Sequence, residues 1–437
     1  MESKKIILSA LAATVALSFT ACGGSSSSTP AVDTCVGSIT ASGTQYLGKD
    51  EYVMSGCLDD STVLTLDAAN IYAIKGEVSI KNATLTIPQG TTLFGQTGQS
   101  YLAIDQGAKI IAEGTETNPI VFTSLNDVDG TPSPATAQGE WGGLSIFGYA
   151  EGNKGLETYE AGDHTFGCDL GGAFSASQGG TVTCNDADNS GTLEYVVIKH
   201  SGFEVETDKE LNGLSLGGVG SGTTIDHVAV IGSLDDGIEV WGGKVNMTNL
   251  YIYNNADDSL DWDHGWTGSA TNVYVEQVNV DGTGSRGFET DNNGGSTTKE
   301  VAQPISNPTI DKFTIITAVA GGQGVVHREG TAGQLSNGII ITKNDGKANI
   351  EIRSANTVTN GLAYSGAMVL SQDAGLYYKG AAENLTDSIF GDVTDAEVQA
   401  IVEGATVVTG PLDTLSNLKT GNPTVGSDAL TMPAWAL

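Results

Sequence analysis

Positive charge is what this sequence most lacks. Nineteen Lys and Arg stand against 52 Asp and Glu, a formal net charge of −33. A surface of that sign repels phosphate backbones and anionic lipid. That excludes a nucleic-acid partner and favours divalent cations or cationic ligands. Aromatics are scarce at 6% and charged residues of both signs reach only 16%, while 59 of the 437 residues are Gly. Such a chain suits one long narrow core stacked from small glycine-punctuated coils better than two or three globular cores. Long apolar runs are missing too: residues 6–19, after Lys4 and Lys5, are too short to span a bilayer and read as the core of an export signal. No nucleotide-binding glycine loop and no Ser-His-Asp arrangement is present, and the five histidines are scattered.

What the sequence does contain is a repeated five-residue pattern. Gly237-Ile-Glu-Val-Trp241 returns as Ser259-Leu-Asp-Trp-Asp263 and Gly287-Phe-Glu-Thr-Asp291, and appears earlier as Gly202-Phe-Glu-Val-Glu206. A small residue, an apolar residue, a carboxylate and a mostly apolar residue in succession is strand alternation. The carboxylates fall 35, 22 and 28 residues apart, at positions 204, 239, 261 and 289. Spacings of that size suit the coils of a parallel β-helix, one turn per repeat. Stacked in that way, Phe203, Ile238, Leu260 and Phe288 enter the core, and Glu204, Glu239, Asp261 and Glu289 form an outward column. The fold class expected is all-β, a single-stranded right-handed parallel β-helix.

Residues 1–22 end in Phe19-Thr20-Ala21-Cys22, followed by Gly23-Gly24 and four serines. This resembles the lipobox of bacterial lipoproteins, with Phe19 where Leu is usual. The resemblance implies that Cys22 is lipidated and that the chain is anchored to the outer membrane through that lipid, facing the periplasm or the exterior. Residues 23–34 then form a flexible tether. Four cysteines remain, Cys35, Cys57, Cys168 and Cys184. An even number in an exported chain points to two disulfides. Of three pairings, the local ones are expected, Cys35 with Cys57 and Cys168 with Cys184.

Residues 35–66 are expected to cap the first coil, and residues 67–380 to form the β-helix. Residues 85–93 recur 17 positions later as residues 102–110, each copy with Gln-Gly at a corner, where Gly permits positive φ. A long glycine-rich insertion at residues 149–192 interrupts the coils. Residues 381–437 are expected to form a C-terminal cap. Its helix lies near residues 394–403, where Thr394-Asp-Ala-Glu397 is a capping box.

Residues 106–124, Trp141-Gly-Gly, Ser190-Gly-Thr-Leu-Glu194, residues 212–220 and residues 257–266 resemble a group of bacterial β-helix lipoproteins found in Bacteroidota, Proteobacteria and Campylobacterota. That resemblance implies fold and cellular address and no particular activity. The chemistry must come from the residues. Glu239, Trp241, Asp261, Asp263, Glu289 and Asp291 are expected to form a ligand-binding face for an extracellular glycan, with Trp241 exposed as a sugar platform. Asp235, Asp236, Asp257 and Asp258 gather at the corner leading into it, a candidate calcium site. Asp186-Ala-Asp188-Asn-Ser190-Gly begins like a calcium loop, but Val197 stands where an EF-hand carries its bidentate Glu. Asp235, Asp236, Asp258 and His264-Gly265 are similar to the acidic pair and Gly-His-Gly element of polygalacturonase-type hydrolases, without the downstream Arg-Ile-Lys. Arg286 and Arg328 stand where a calcium-dependent polysaccharide lyase would place a base, or Arg286 pairs with Asp258 or Glu289. Three functions therefore stand open: a monomeric glycan-binding lipoprotein, a calcium-dependent lyase or hydrolase, and a structural envelope protein.

Overall fold

The computed structural model describes residues 35–437 apart from 61–63, 131–132, 135, 171–181, 207–208, 279–284, 295–297, 318–321, 343–347, 373–376, 381–392, 411–424 and 430. The export signal, Cys22 and the tether lie outside the described residues.

The chain is a parallel β-helix closed at its start by a hairpin. Gly37–Tyr46 runs antiparallel to Lys49–Leu58, which then lies parallel to Ile71–Ile80. Met54 and Leu58 of the hairpin are fully buried. They cover apolar side chains that the first coil would otherwise expose, and the Cys35–Cys57 disulfide pins the hairpin's start.

Three parallel ladders follow. The first two share long strands, Gly191–Lys199, Thr224–Ile231, Asn246–Tyr253, Ser269–Gln277, Thr309–Thr317 and Gln334–Thr342, stacked in register. Each strand bends at one left-handed residue: Tyr195, His227, Asn249, Asn272, Lys312 and Asn337, with φ between 47° and 63°. Half of the six are Asn, the non-glycine type that tolerates this region best. The third ladder runs Tyr101–Ile104, Gly143–Phe147, Leu214–Gly217, Ile238–Trp241, Leu260–Asp263, Arg286–Thr290 and Gln323–His327. Alternation fills the interior with stacked apolar residues, among them Leu214, Ile238, Leu260 and Phe288, all fully buried.

The 17-residue repeat is a likeness of corners, not of coils. Gly90 and Gly107 both adopt positive φ. Leu85, however, pairs with Ile110 rather than with Leu102, which pairs with Val78. The Gly202 copy of the five-residue pattern is no rung either. Glu204–Glu206 forms a separate hairpin with Lys209–Glu210, Phe203 lies half-buried over Gly98, and Ser215 holds the place beside Glu239. That corrects the expected column at its upper end.

Helix Asp395–Val402 begins at the Thr394–Glu397 capping box and buries Val398 and Val402. Thr406–Gly410 then extends the second ladder beyond the expected limit at residue 380. The last residues run back along that ladder's outer surface. Ser427 bonds to Thr314, the Asp428 amide donates to Asn272, and Trp435 packs on Tyr195, His227 and Tyr251.

Candidate functional site: a roofed acidic column

Register brings three of the expected carboxylates into one line: Glu239 pairs with Asp261, and Asp261 with Glu289. Two positions further on each strand, Trp241 aligns with Asp263, and Asp291 follows Thr290. At the corner, Asp235, Asp236 and Asp257 converge. Three overlapping triads result, Asp235-Asp236-Asp257, Asp236-Glu239-Asp261 and Asp261-Glu289-Asp291, each with carboxylate oxygens within 4.8 Å of one another. Rung spacing alone dictates this closeness.

The column is not the solvated face expected from the sequence. Residues 149–170 of the insertion fold over it as a roof. Trp241 is 7% exposed, under Phe166 (rings 5.9 Å apart, stacked) and Tyr159 (5.6 Å, edge-on), so it is no open sugar platform. The Tyr159 hydroxyl reaches Ser145 and Ser215 at 2.9 and 3.0 Å. Asn153 donates to the Asn292 side chain at 2.9 Å and accepts from Asn293 at 3.0 Å. His264 pins the roof from below: its Nε2 lies 2.9 Å from Asp263 and beside Lys154, and its Nδ1 lies 3.1 Å from Glu157. The Cys168–Cys184 disulfide closes the roof's far end. A cavity of about 110 Å³ remains between Glu157, Tyr159, Glu160, Phe166, Trp241 and His264.

Burial sets the electrostatics. It pushes the Asp236, Glu239 and Asp261 carboxyls well above the usual range, and neighbouring carboxylates add to the effect. Asp235, at the more open corner, is raised to about 8 by burial and by Asp257. Asp263 goes the other way: burial raises it, but the charged His264 beside it wins and holds it low. The same pairing, against burial, raises His264 to about 10.

Two arginines neutralise the lower end. Arg286 lies 2.9 Å from Asp258 and 2.6 Å from Glu289, and Arg328 lies 2.9 Å from Glu289 and 2.8 Å from Asp291. Asp258 therefore leaves the expected calcium corner for an ion pair with Arg286. The upper triads are held differently. Asn212 donates to Glu239 at 2.6 Å, the Asp258 amide donates to Asp236 at 2.9 Å, and Asp261 Oδ1 is closed to solvent without a hydrogen bond. Sequence pattern finds the acids and both arginines, and it anticipates the pairing of Arg286; it misses the roof and the pairing of Arg328 with Glu289 and Asp291.

The other expected calcium loop does not converge. Asp186 is exposed and faces the Glu151 amide and Lys244, whereas Asp188 is buried and accepts from Ser190 at 3.1 Å. Ser190 is thus a hydrogen-bond donor within a turn leading into Gly191–Lys199.

Comparison with known proteins agrees with this architecture. Residues 56–405 match the family model described as a pectate-lyase-like beta helix domain. No curated protein matches the chain. Among solved structures, full-length tailspike protein 2 from Escherichia coli O157:H7 bacteriophage CAB120 is 11% identical, with 79% of this chain and 43% of the tailspike covered. At its TM-score of 0.20 that likeness carries no argument.

Proposed function

We propose, from the premise that this chain belongs to the pectate-lyase-like β-helix family, that it binds an extracellular polysaccharide through calcium held in the upper part of the acidic column. The observation that carries this reading is the pair of triads that share Asp236, Asp235-Asp236-Asp257 and Asp236-Glu239-Asp261, each with carboxylate oxygens within 4.8 Å of one another. Oxygen-only donors in an adaptable cluster suit Ca²⁺ better than softer metals. A protein with net charge −33 repels a polyuronate, and a bridging divalent ion reverses that repulsion. Glu239, Asp261 and Asp236 would supply ligands, while Glu289 and Asp291, already paired with arginine, complete the wall. Export and lipidation at Cys22 belong to this reading: Cys22→Ser should release the protein from the membrane fraction.

The test is retention on polygalacturonate at 1 mM calcium and in EDTA, with a thermal melt under both conditions. Calcium is expected to raise the melting temperature, since a ligand at 100 times its Kd stabilises by about 2.7 kcal/mol. Retention should need calcium and be lost in Asp236→Asn. Neither a melting shift nor calcium-dependent retention would leave a structural envelope role.

One observation favours cleavage as a second reading. With a pKa of about 8, Asp235 is a protonated acid at neutral pH beside other carboxyls, the arrangement a glycoside hydrolase uses. A lyase base is harder to find, because their acidic partners hold Arg286 and Arg328 charged. New reducing ends, without unsaturated products, would identify hydrolysis.

A further inference from the structure

Three rungs before Glu239 on the same ladder, about 14 Å away at roughly 4.8 Å per rung, the roof closes over a different pocket. We propose that this pocket, bounded by Lys81, Asn82, Asp105, Tyr149, Asp163 and His164, is a binding site for one neutral sugar unit that works without calcium. It encloses about 230 Å³, far more than the roughly 10–15 Å³ that lodges a water molecule.

The wall is fixed in advance. His164 is 3% exposed, its Nδ1 2.5 Å from Asp105 Oδ1 and its Nε2 3.3 Å from the Tyr101 hydroxyl and 3.4 Å from Glu77. Its ring stacks on Phe147 at 5.4 Å. Burial alone would discharge the imidazole, but the two carboxylates outweigh it and hold the pKa at about 9. Gln106 spends its amide on the carbonyls of Gly148 and Gly167, at 2.8 and 2.7 Å, and so ties the roof to the coil.

Two features exceed what anchoring the roof requires. Asp105 Oδ2 is buried, accepts no hydrogen bond and has Lys81 Nζ only at 3.9 Å. Gly107, at φ +83°, leaves a gap: a Cβ there would sit 3.2 Å from the Tyr149 hydroxyl and 3.9 Å from Asn82 Oδ1. The Gln-Gly corner therefore keeps a space between a phenol and an amide open.

Charge decides the ligand class. The wall mixes both signs: Lys81 and the imidazolium stand among Asp105 and Asp163, with Glu77 against the far nitrogen of the imidazolium, so an anion meets carboxylates and a cation meets two positive groups. A hydroxyl both donates and accepts, and a ring carrying several of them suits interleaved donors and acceptors. The acidic column, with acceptors only, selects the opposite kind of ligand.

The experiment is a saturation-transfer NMR titration of the whole mature protein in EDTA with glucose, galactose, mannose and N-acetylglucosamine. At least one should bind saturably in the millimolar range. Gly107→Asn keeps a residue that tolerates positive φ while filling the gap, and Asn82→Gly keeps the backbone while removing the amide. Each should weaken binding at least fivefold while the protein still unfolds in one cooperative melt, whereas Asp261→Asn should leave binding intact. No saturable binding by any of the four sugars, or binding that survives both pocket variants, overturns the proposal. Calcium-dependent polygalacturonate retention, measured separately, stands or falls independently of that result.

Discussion

Two polar columns run along this β-helix, and only one of them is complete. At the bend between the first and second ladders, Asn272 donates to Asn249 at 2.5 Å and Asn249 donates to Asp226 at 2.6 Å; a few rungs on, Asn337 donates to Asp311 at 2.7 Å. On the third ladder the same repeat spacing stacks Glu239, Asp261 and Glu289. An amide both donates and accepts, so its column satisfies itself from rung to rung. A carboxylate only accepts, and two at this spacing repel by about 1 kcal/mol in water and more where solvent is excluded. Identical geometry therefore yields scaffold in one place and a demand for a cation in the other.

The sharpest way to break the contrast is to remove one of the two cations the acidic column already has. Arg328→Ala leaves Glu289 and Asp291 facing each other with less compensation and should cost about 3 kcal/mol in urea unfolding. A loss below about 0.5 kcal/mol would mean that the lower triad is adequately solvated. Next, Asn272→Ala strains a left-handed residue and strands two partners, Asn249 and the Asp428 amide, and should cost about 2 kcal/mol by the same measurement. Converting the acidic column toward the amide type has the opposite sign. Asp261→Asn should stabilise the calcium-free protein by about 1 kcal/mol and abolish the calcium-induced melting shift. Equal melting shifts in variant and parent would remove Asp261 from the site.

The last difference is one of slope. Asp235 has a folded pKa raised to about 8, so its contribution is present below the unfolded value near 4 and is lost as pH rises through 8. His264, raised to about 10, loses its contribution between about 6.5 and 10, also on rising pH. In the amide column, Asp226 is raised by burial but lowered further by hydrogen bonds from Thr248 and Asn249, so its contribution is lost as pH falls below about 4. Melting temperature without calcium should therefore decline from pH 5 to pH 9. Calcium, which displaces protons from the raised acids, should flatten that decline and bind more tightly at pH 8 than at pH 6.

The ladder was readable because its signal is local and repeated: Ile238, Leu260 and Phe288 each follow a small residue and precede a carboxylate. Phe203-Glu204 carries the same local signal and belongs to a hairpin, because alternation specifies which face a residue takes and not which strand it joins. The local disulfides, the capping box and the glycine corners were legible for the same reason. The roof was not. Tyr159, His164 and Phe166 lie in a segment without periodicity, and their contacts with Trp241 and Phe147 are set by tertiary folding. Predicting Trp241 as exposed followed from alternation, which distinguishes inside from outside the coil and says nothing of what is laid on top.

The returning tail has a mechanical meaning. A spiral in which every turn touches only its neighbours can peel from its end, one turn at a time. The described residues of the tail lie across several turns at once, with Ser427 on Thr314, Asp428 on Asn272 and Trp435 reaching Tyr195. Like a seam sewn along a coiled spring, this segment joins the turn of Thr314 to that of Tyr195 four turns upstream, so that peeling the turns between them must also break the seam.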